Sequence, residues 1–325
     1  MSFFAVLLAL VIEQVKPLAR DNWVHHSLLS WTAWAGSNLD AGRRAHAAIV
    51  WCVSVLAPAL LAAGVHVGLL QVSFLLALLF DVGVLYLTLG FRQFSHHFTD
   101  VRDALEQGDE AQARRLLAAW CHLDASELPR EALLRHLIEH ALLAAHRHVF
   151  GVFFWFVVLY AVGLGPAGAV LYRLAEFVGR YWAAQQRKSA AQATPAVVAL
   201  SARWFQRIDH VPARMTAFGF AIVGNFEEAI NAWRQGASQW KHANEGVVLA
   251  AAAGALGVQL GGPAPAGATP ERAAASGPAD GDDNAVHSGA TPQQSHLLGV
   301  VGLVWRSVVL WLLLLALLTL ANVLG

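Results

Sequence analysis

The chain has 325 residues, of which 57% are hydrophobic and only 14% charged, with a mean hydropathy of +0.49. Soluble globular chains run at about 45–50% apolar and about 25% charged, so this composition excludes a disordered chain and argues against an ordinary soluble enzyme. Twenty-two Lys and Arg balance twenty-two Asp and Glu, which leaves no basic field to hold a nucleic acid.

The expected partner is a lipid bilayer. Twelve Trp and sixteen Phe against four Tyr fit a membrane protein with interfacial anchors. Cys52 lies in an apolar run and Cys121 in a polar one, which is a poor disulfide pair with no CxxC metal spacing.

Ser2–Val15 is apolar but shorter than the ~20 residues a spanning helix needs. No charge precedes it and no small-residue cleavage site follows it, so it reads as a retained helix, in the interface or packed in the bundle. With the basic segment after it, it forms an N-terminal portion, 1–44. Ala45–Phe91 is twice the spanning length. Gly64, His66, Gly68 and Gln71 mark its middle, and the expectation is a transmembrane hairpin of helices at about 46–65 and 70–91. Arg43 and Arg44 before it and Arg92 after it put both ends on the cytoplasmic side. Asp81 sits inside the second helix. An ionisable group there is costly, and it is a functional candidate on that ground.

Residues 92–148 read as a small cytoplasmic helical subdomain. Leu105, Leu116, Leu117, Leu133, Leu134, Leu137 and Leu142 recur at helix spacing. Breaks fall at Gln107-Gly108-Asp109 and Leu128-Pro129, and Glu110 favours a helix start. Val149–Leu174 is apolar but interrupted by Gly163-Leu164-Gly165-Pro166-Ala167-Gly168, where the helix should kink or end. It spans once or dips in and returns. Arg180, Arg187, Lys188, Arg203 and Arg207 follow and prefer the cytoplasm. Val211–Phe226 and Gly246–Gly262 are weaker apolar stretches. Residues 262–296 are rich in Gly, Pro, Ala, Ser, Thr and Asp and hold five of the eleven prolines; no apolar periodicity supports a core there, so the segment reads as a disordered linker. Residues 297–325 form a C-terminal transmembrane helix, with Arg306 able to snorkel to the near interface. The fold class expected is all-α: a polytopic membrane helical bundle with a cytoplasmic helical subdomain and a C-terminal anchor.

Phosphate-loop, GxGxxG and GxSxG patterns are absent. His136 and His140, four apart with Glu139 between them, share a helix region. They do not follow the HExxH order, and the better reading is a hydrated helix face; no metal site is expected.

Four ordered stretches then come into view. The first is Leu87-Thr88-Leu89-Gly90-Phe91-Arg92 with Gln93-Phe94-Ser95-His96-His97, followed by Val101, Ala104-Leu105, Gly108-Asp109 and Ala113-Arg114. The second is Gly165-Pro166-Ala167-Gly168-Ala169-Val170-Leu171-Tyr172-Arg173. The third is His210-Val211-Pro212-Ala213-Arg214-Met215-Thr216-Ala217. The fourth is Asn244-Glu245-Gly246 with Ala253-Gly254-Ala255-Leu256-Gly257-Val258-Gln259-Leu260-Gly261-Gly262-Pro263. In this order they resemble the CobD/CbiB family of integral membrane proteins of cobalamin biosynthesis, and residues 149–261 then read as that family's membrane and membrane-associated core.

The resemblance implies ATP-dependent joining of an aminopropanol arm to a corrinoid substrate, with Mg²⁺. It implies Glu139 as base or Mg²⁺ ligand, Arg173 and Arg214 as binders of phosphate or carboxylate, and Asp109 as a further ligand-binding residue, all converging on one cavity. Several polar positions depart from the family pattern. Trp120-Cys121-His122-Leu123 stands where the family has GRDT. Only Glu139 survives of a carboxylate- and amide-rich run at Glu139–His148. Leu174-Ala175-Glu176-Phe177-Val178-Gly179 replaces NTxDSMVG. Phosphate and Mg²⁺ chemistry needs oxygen ligands, which Leu and Ala do not supply.

A second likeness is to AmpE, a membrane protein of the same superfamily linked to β-lactamase induction. It rests on Phe3–Leu10 with Glu13, on Phe150–Phe156, on Val211–Arg214 through Gly224–Ala229 with Trp233, and on the single C-terminal anchor after a linker. The leading expectation is therefore an AmpE-like protein of the bacterial inner membrane, multi-pass, with an envelope or signalling role. The alternative is the adenosylcobinamide(-phosphate) synthase, joining aminopropanol (phosphate) to adenosylcobyric acid.

Overall fold

The computed structural model describes residues 2–16, 23–40, 42–121, 124–188, 193–236, 240, 242–261 and 289–324. The described residues are helical, with no strand and one isolated bridge, Val258 to Ala290. In chain order the helices are α1 (Ser2–Val15), α2 (Trp23–Leu39), α3 (Arg44–Val72), α4 (Phe74–Thr88), α5 (Phe91–Glu106), α6 (Glu110–Cys121), α7 (Arg130–Ala161), α8 (Ala167–Lys188), α9 (Pro195–Ile208), α10 (His210–Val223), α11 (Phe226–Gly236), α12 (Ala243–Leu256) and α13 (Gln294–Leu324). Three stretches are long and apolar enough to cross a membrane: Arg44–Val72, Arg130–Ala161 and Gln294–Ala321. α1, α4 and α12 are shorter apolar helices. The all-α membrane bundle expected from composition is what forms.

Where the hairpin turns differs from the sequence reading. α3 runs through Gly64, His66, Gly68 and Gln71 and ends at Val72; the turn is Ser73, in extended conformation (φ −162°, ψ 129°). Each interior glycine costs a helix about 1 kcal/mol. Breaking the helix there would strand backbone groups that hydrocarbon cannot satisfy, at several kcal/mol each, so the helix continues. Within α3, Cys52–Leu56 forms one π-turn, closed by the Ala57 amide donating to the Cys52 carbonyl. It ends two residues before Pro58, whose ring nitrogen cannot donate.

The expected boundary at residues 148 and 149 falls within one helix. α7 passes through it without a break, with a π-turn at His146–Phe150. Arg130–His146, read from sequence as part of the polar subdomain, thus belongs to a helix long and apolar enough to span. The Gly-Pro break behaves as its chemistry dictates: α7 stops at Ala161, Gly163 and Gly165 take positive φ (81° and 56°), and α8 begins at Ala167. At the C-terminal end, α13 already begins at Gln294. Residues 262–288 of the linker lie outside the described residues.

The chain divides into two compact units. The first is Met1–Arg92, Arg147–Pro212 and Leu315–Gly325. In it α1 packs on α4, α3 packs on α4 and α8, and α8 packs on α9 and on the Gly151–Ala161 part of α7. Its core joins Ala47, Val50, Trp51 and Val55 to Leu174, Val178, Trp182 and Val197. The closest approach is at Gly168, where an added Cβ would stand 1.8 Å from the Trp155 carbonyl oxygen. The second unit is Gln93–His146 and Ala213–Leu314. There α11 packs on α12, and α12 packs on the first part of α7. Gly254 permits the α11–α12 contact: a Cβ there would lie 2.2 Å from the Glu228 carbonyl.

Candidate functional site

In the second unit, α7 carries Glu139, 14% exposed. Its Oε1 accepts a hydrogen bond from the Gly261 amide at 2.8 Å, and its Oε2 lies 3.5 Å from His136 Nδ1. Arg135, four residues earlier, stands 3.9 Å from Oε1. The Gly261 amide can reach the carboxylate because α12 stops at Gly257, a left-handed C-cap (φ 64°), and the chain turns again at Gly261 (φ 78°). A side chain is disfavoured at both positions. The same α7 face carries His146 seven residues on, its Nδ1 2.9 Å from the Thr216 hydroxyl on α10. Two residues before Thr216, Arg214 donates from Nη1 to Asn244 Oδ1 of α12 at 3.4 Å.

The polar groups therefore come from the retained parts of three separate sequence stretches: Glu139 meets the Gly-rich segment after α12, and Arg214 meets Asn244. The Glu139 carboxylate, held by a backbone amide, can bind an ammonium group, and the Arg214 guanidinium beside Asn244 can bind an anion. Among the described residues no group of three His, Cys, Asp or Glu gathers to hold a metal. Mg²⁺ typically needs only one or two protein carboxylates beside substrate phosphates and water, and Glu139 fits that requirement.

The other sequence candidates each have partners of their own. Asp109 Oδ1 accepts from the Gln112 amide at 2.8 Å and caps α6. Arg173, on α8 in the first unit, donates to Glu176 at 2.7 Å, and Arg180 grips the same carboxylate from one turn further on. Burial pushes the Glu176 carboxyl up, but Arg180, Arg173 and Arg147 outweigh it and hold it below the usual carboxylate range. Next to Arg173, the buried Tyr172 donates to Asp209 at 2.7 Å. Asp81 on α4 is fully buried and bonds to His66 on α3 at 2.7 Å.

Sequence reasoning treated His66 as a turn marker, and it passed over Asn244, Thr216 and His146 as site members. For His66 the signal was available: a second polar group in the same apolar run, on the other arm of a hairpin.

The family model described as CobD/Cbib protein matches residues 3–285. The chain belongs to the CobD/Cbib family. Within it, the chain is 34% identical over 284 residues to the cobalamin biosynthesis protein CobD of Stutzerimonas stutzeri, covering 86% of this chain and 84% of that protein. It is 36% identical over 188 residues to the CobD of Chromobacterium violaceum, covering 58% and 57% of the two chains. To the CobD of Leptospira interrogans it is 26% identical over 197 residues, covering 59% of each. No solved structure matches. Family and helices together make this a membrane protein. The relatives carry cobalamin names, so the order of the two functional readings reverses: the biosynthetic reading now precedes the AmpE-like one.

Proposed function

We propose that this chain works in cobalamin biosynthesis as the family's membrane-bound amide ligase, joining aminopropanol or its phosphate to the carboxyl of adenosylcobyric acid, at the bacterial inner membrane. The observation that carries the proposal is the pairing of motif residues in the second unit: Glu139 with Gly261, and Arg214 with Asn244. The names of the relatives support it.

In this reading Arg214 binds the phosphate or carboxylate of a substrate, oriented by Asn244, because a planar guanidinium makes paired bonds to such groups. Glu139, oriented by the Gly261 amide, holds the attacking amine and accepts its proton as the amide forms. ATP would supply activation of the acid, with phosphate leaving as the amide forms, and Glu139 would be a Mg²⁺ ligand only as the alternative to its role as base. Arg173, largely buried and held by Glu176, stays a secondary anion-binding candidate, and Asp109 contributes by capping α6.

The departures at Trp120–Leu123 and Leu174–Gly179 favour a second reading, an AmpE-like protein without the chemistry. Complementation separates them. The full chain is expressed in a bacterium lacking its cobinamide-forming ligase and fed adenosylcobyric acid, and corrinoids are read by mass spectrometry. The aminopropanol-bearing corrinoid is the expected product. Its absence, with the protein present in the membrane, overturns the ligase reading in favour of the AmpE-like one.

A further inference from the structure

Apart from the candidate ligase site, the first unit holds three titratable side chains in one place. His66 (α3) and Asp81 (α4) face each other across the hairpin, 3% and 0% exposed, with Nδ1 and Oδ1 2.7 Å apart. Tyr160 closes the group from α7, its ring edge-on to His66 at 5.7 Å. The second carboxylate oxygen, Oδ2, is buried and takes no hydrogen bond from His66. A buried acceptor left without a full partner costs about 1–3 kcal/mol, and an added proton on that carboxylate relieves the cost.

We propose that His66, Asp81 and Tyr160 form an intramembrane proton-binding centre, which takes one proton from water and holds it between the imidazole and the carboxylate. The charge arithmetic leads there. With neutral His66 and ionised Asp81 the pair carries −1. With one added proton its net charge is zero, and with two it is +1. Apolar surroundings penalise net charge, so the one-proton state is favoured. The proton sits on Nδ1 or on the carboxylate within one short bond, and no other reactant is consumed.

The centre lies beside the break between α7 and α8. Tyr160 is half-buried and lies two residues before Val162, which is 66% exposed at the start of the Gly-Pro turn. The turn also touches the centre directly: a Cβ at Gly165 would stand 2.2 Å from the His66 ring. A change in ring charge or tilt at His66 is therefore felt at the break between α7 and α8. Among the described residues, the other charged or titratable groups on the packed elements include Glu13 of α1, buried against α4, Arg44 and His46 of α3, Arg147 and His148 of α7, and, on α8, the Arg173–Glu176–Arg180 cluster with Arg187 and Lys188.

The test is ¹⁵N NMR of ring-labelled histidine in the full chain, reconstituted in liposomes, with the His66 signal assigned by its loss in His66→Gln. The expected result is a His66 ring signal that moves with bulk pH, that shifts in Asp81→Asn, and that stays in place in Glu13→Gln. Tyr160→Phe should slow deuterium exchange at the ring nitrogen about tenfold while leaving the pH response. A His66 signal that ignores bulk pH, or one unchanged by Asp81→Asn in a variant that melts like the parent, overturns the proposal and leaves a static helix clamp. Should Asp81→Asn not fold, the pH response of the parent and the exchange rate in Tyr160→Phe decide the matter alone. Neither depends on ligase activity.

Discussion

Gly168→Ala sets two helix effects against each other. In an ordinary helix interior the substitution is favourable by up to about 1 kcal/mol. Here the new Cβ would lie 1.8 Å from the Trp155 carbonyl oxygen, 2.4 Å from its carbon and 3.0 Å from the Phe156 nitrogen. The closest comfortable carbon–oxygen approach is about 3.3 Å, so α8 must withdraw from α7 by roughly 1.5 Å. Every atom in the way is backbone, and no rotamer change relieves it. Overpacking of this kind costs about 1–3 kcal/mol, and more where the structure cannot yield. The clash wins, and the net loss is about 2 kcal/mol. Gly179, on the same helix, has nothing within 4 Å of a Cβ, so Gly179→Ala keeps only the favourable effect. Both variants are compared with the parent by thermal unfolding in one detergent. At about 2–4 °C per kcal/mol for chains of 150–250 residues, Gly168→Ala falls by several degrees and Gly179→Ala holds or rises. Equal stability of Gly168→Ala and the parent would refute the close α7–α8 packing. Retained stability with lost corrinoid product would instead make Gly168 a substrate-contact position.

Glu139→Ala removes the proposed proton acceptor and, in the complementation assay, lowers corrinoid product by at least about 100-fold, the low end for a general base; full product would sink that role. Arg214→Lys keeps the charge but loses the paired donor geometry, so KM for the anionic substrate rises about tenfold or more with kcat less affected. Tyr172→Phe deletes the donor to Asp209 and lowers stability by about 1–3 kcal/mol, read as a drop in Tm. Glu176 predicts an acid limb. Its folded pKa is depressed, so its contribution is complete above the ordinary value of 4.5 and is lost as pH falls below it; Tm of the parent declines there, and Glu176→Gln flattens the decline.

Composition and hydropathy determined that the chain is an all-helical membrane protein, because the apolar excess leaves no soluble alternative and backbone polar groups in lipid must be satisfied within helices. The Gly163–Gly168 break was legible for a local reason: proline cannot donate, and two glycines there take left-handed φ. The ordered motif stretches pointed to the family, since the residues carrying them are fixed by close approach or by pairing, as at Gly168, Gly254, Gly261, Arg214 and Asn244.

The turn at Ser73 rather than at Gly64–Gly68 was decided by competition between local propensity and burial, and the apolar surroundings raised the cost of an early break. The continuity of α7 through residue 148 was likewise invisible to hydropathy, which sees polar side chains but not the unbroken backbone ladder beneath them. Only tertiary structure could assign partners. Asp109 and Glu139 are both carboxylates near helical segments, yet one caps its own helix while the other reaches an amide 122 residues away. His66 and Asp81 meet because α3 and α4 pack antiparallel about Ser73, and that register is set by side-chain packing along the whole hairpin, which no local pattern encodes.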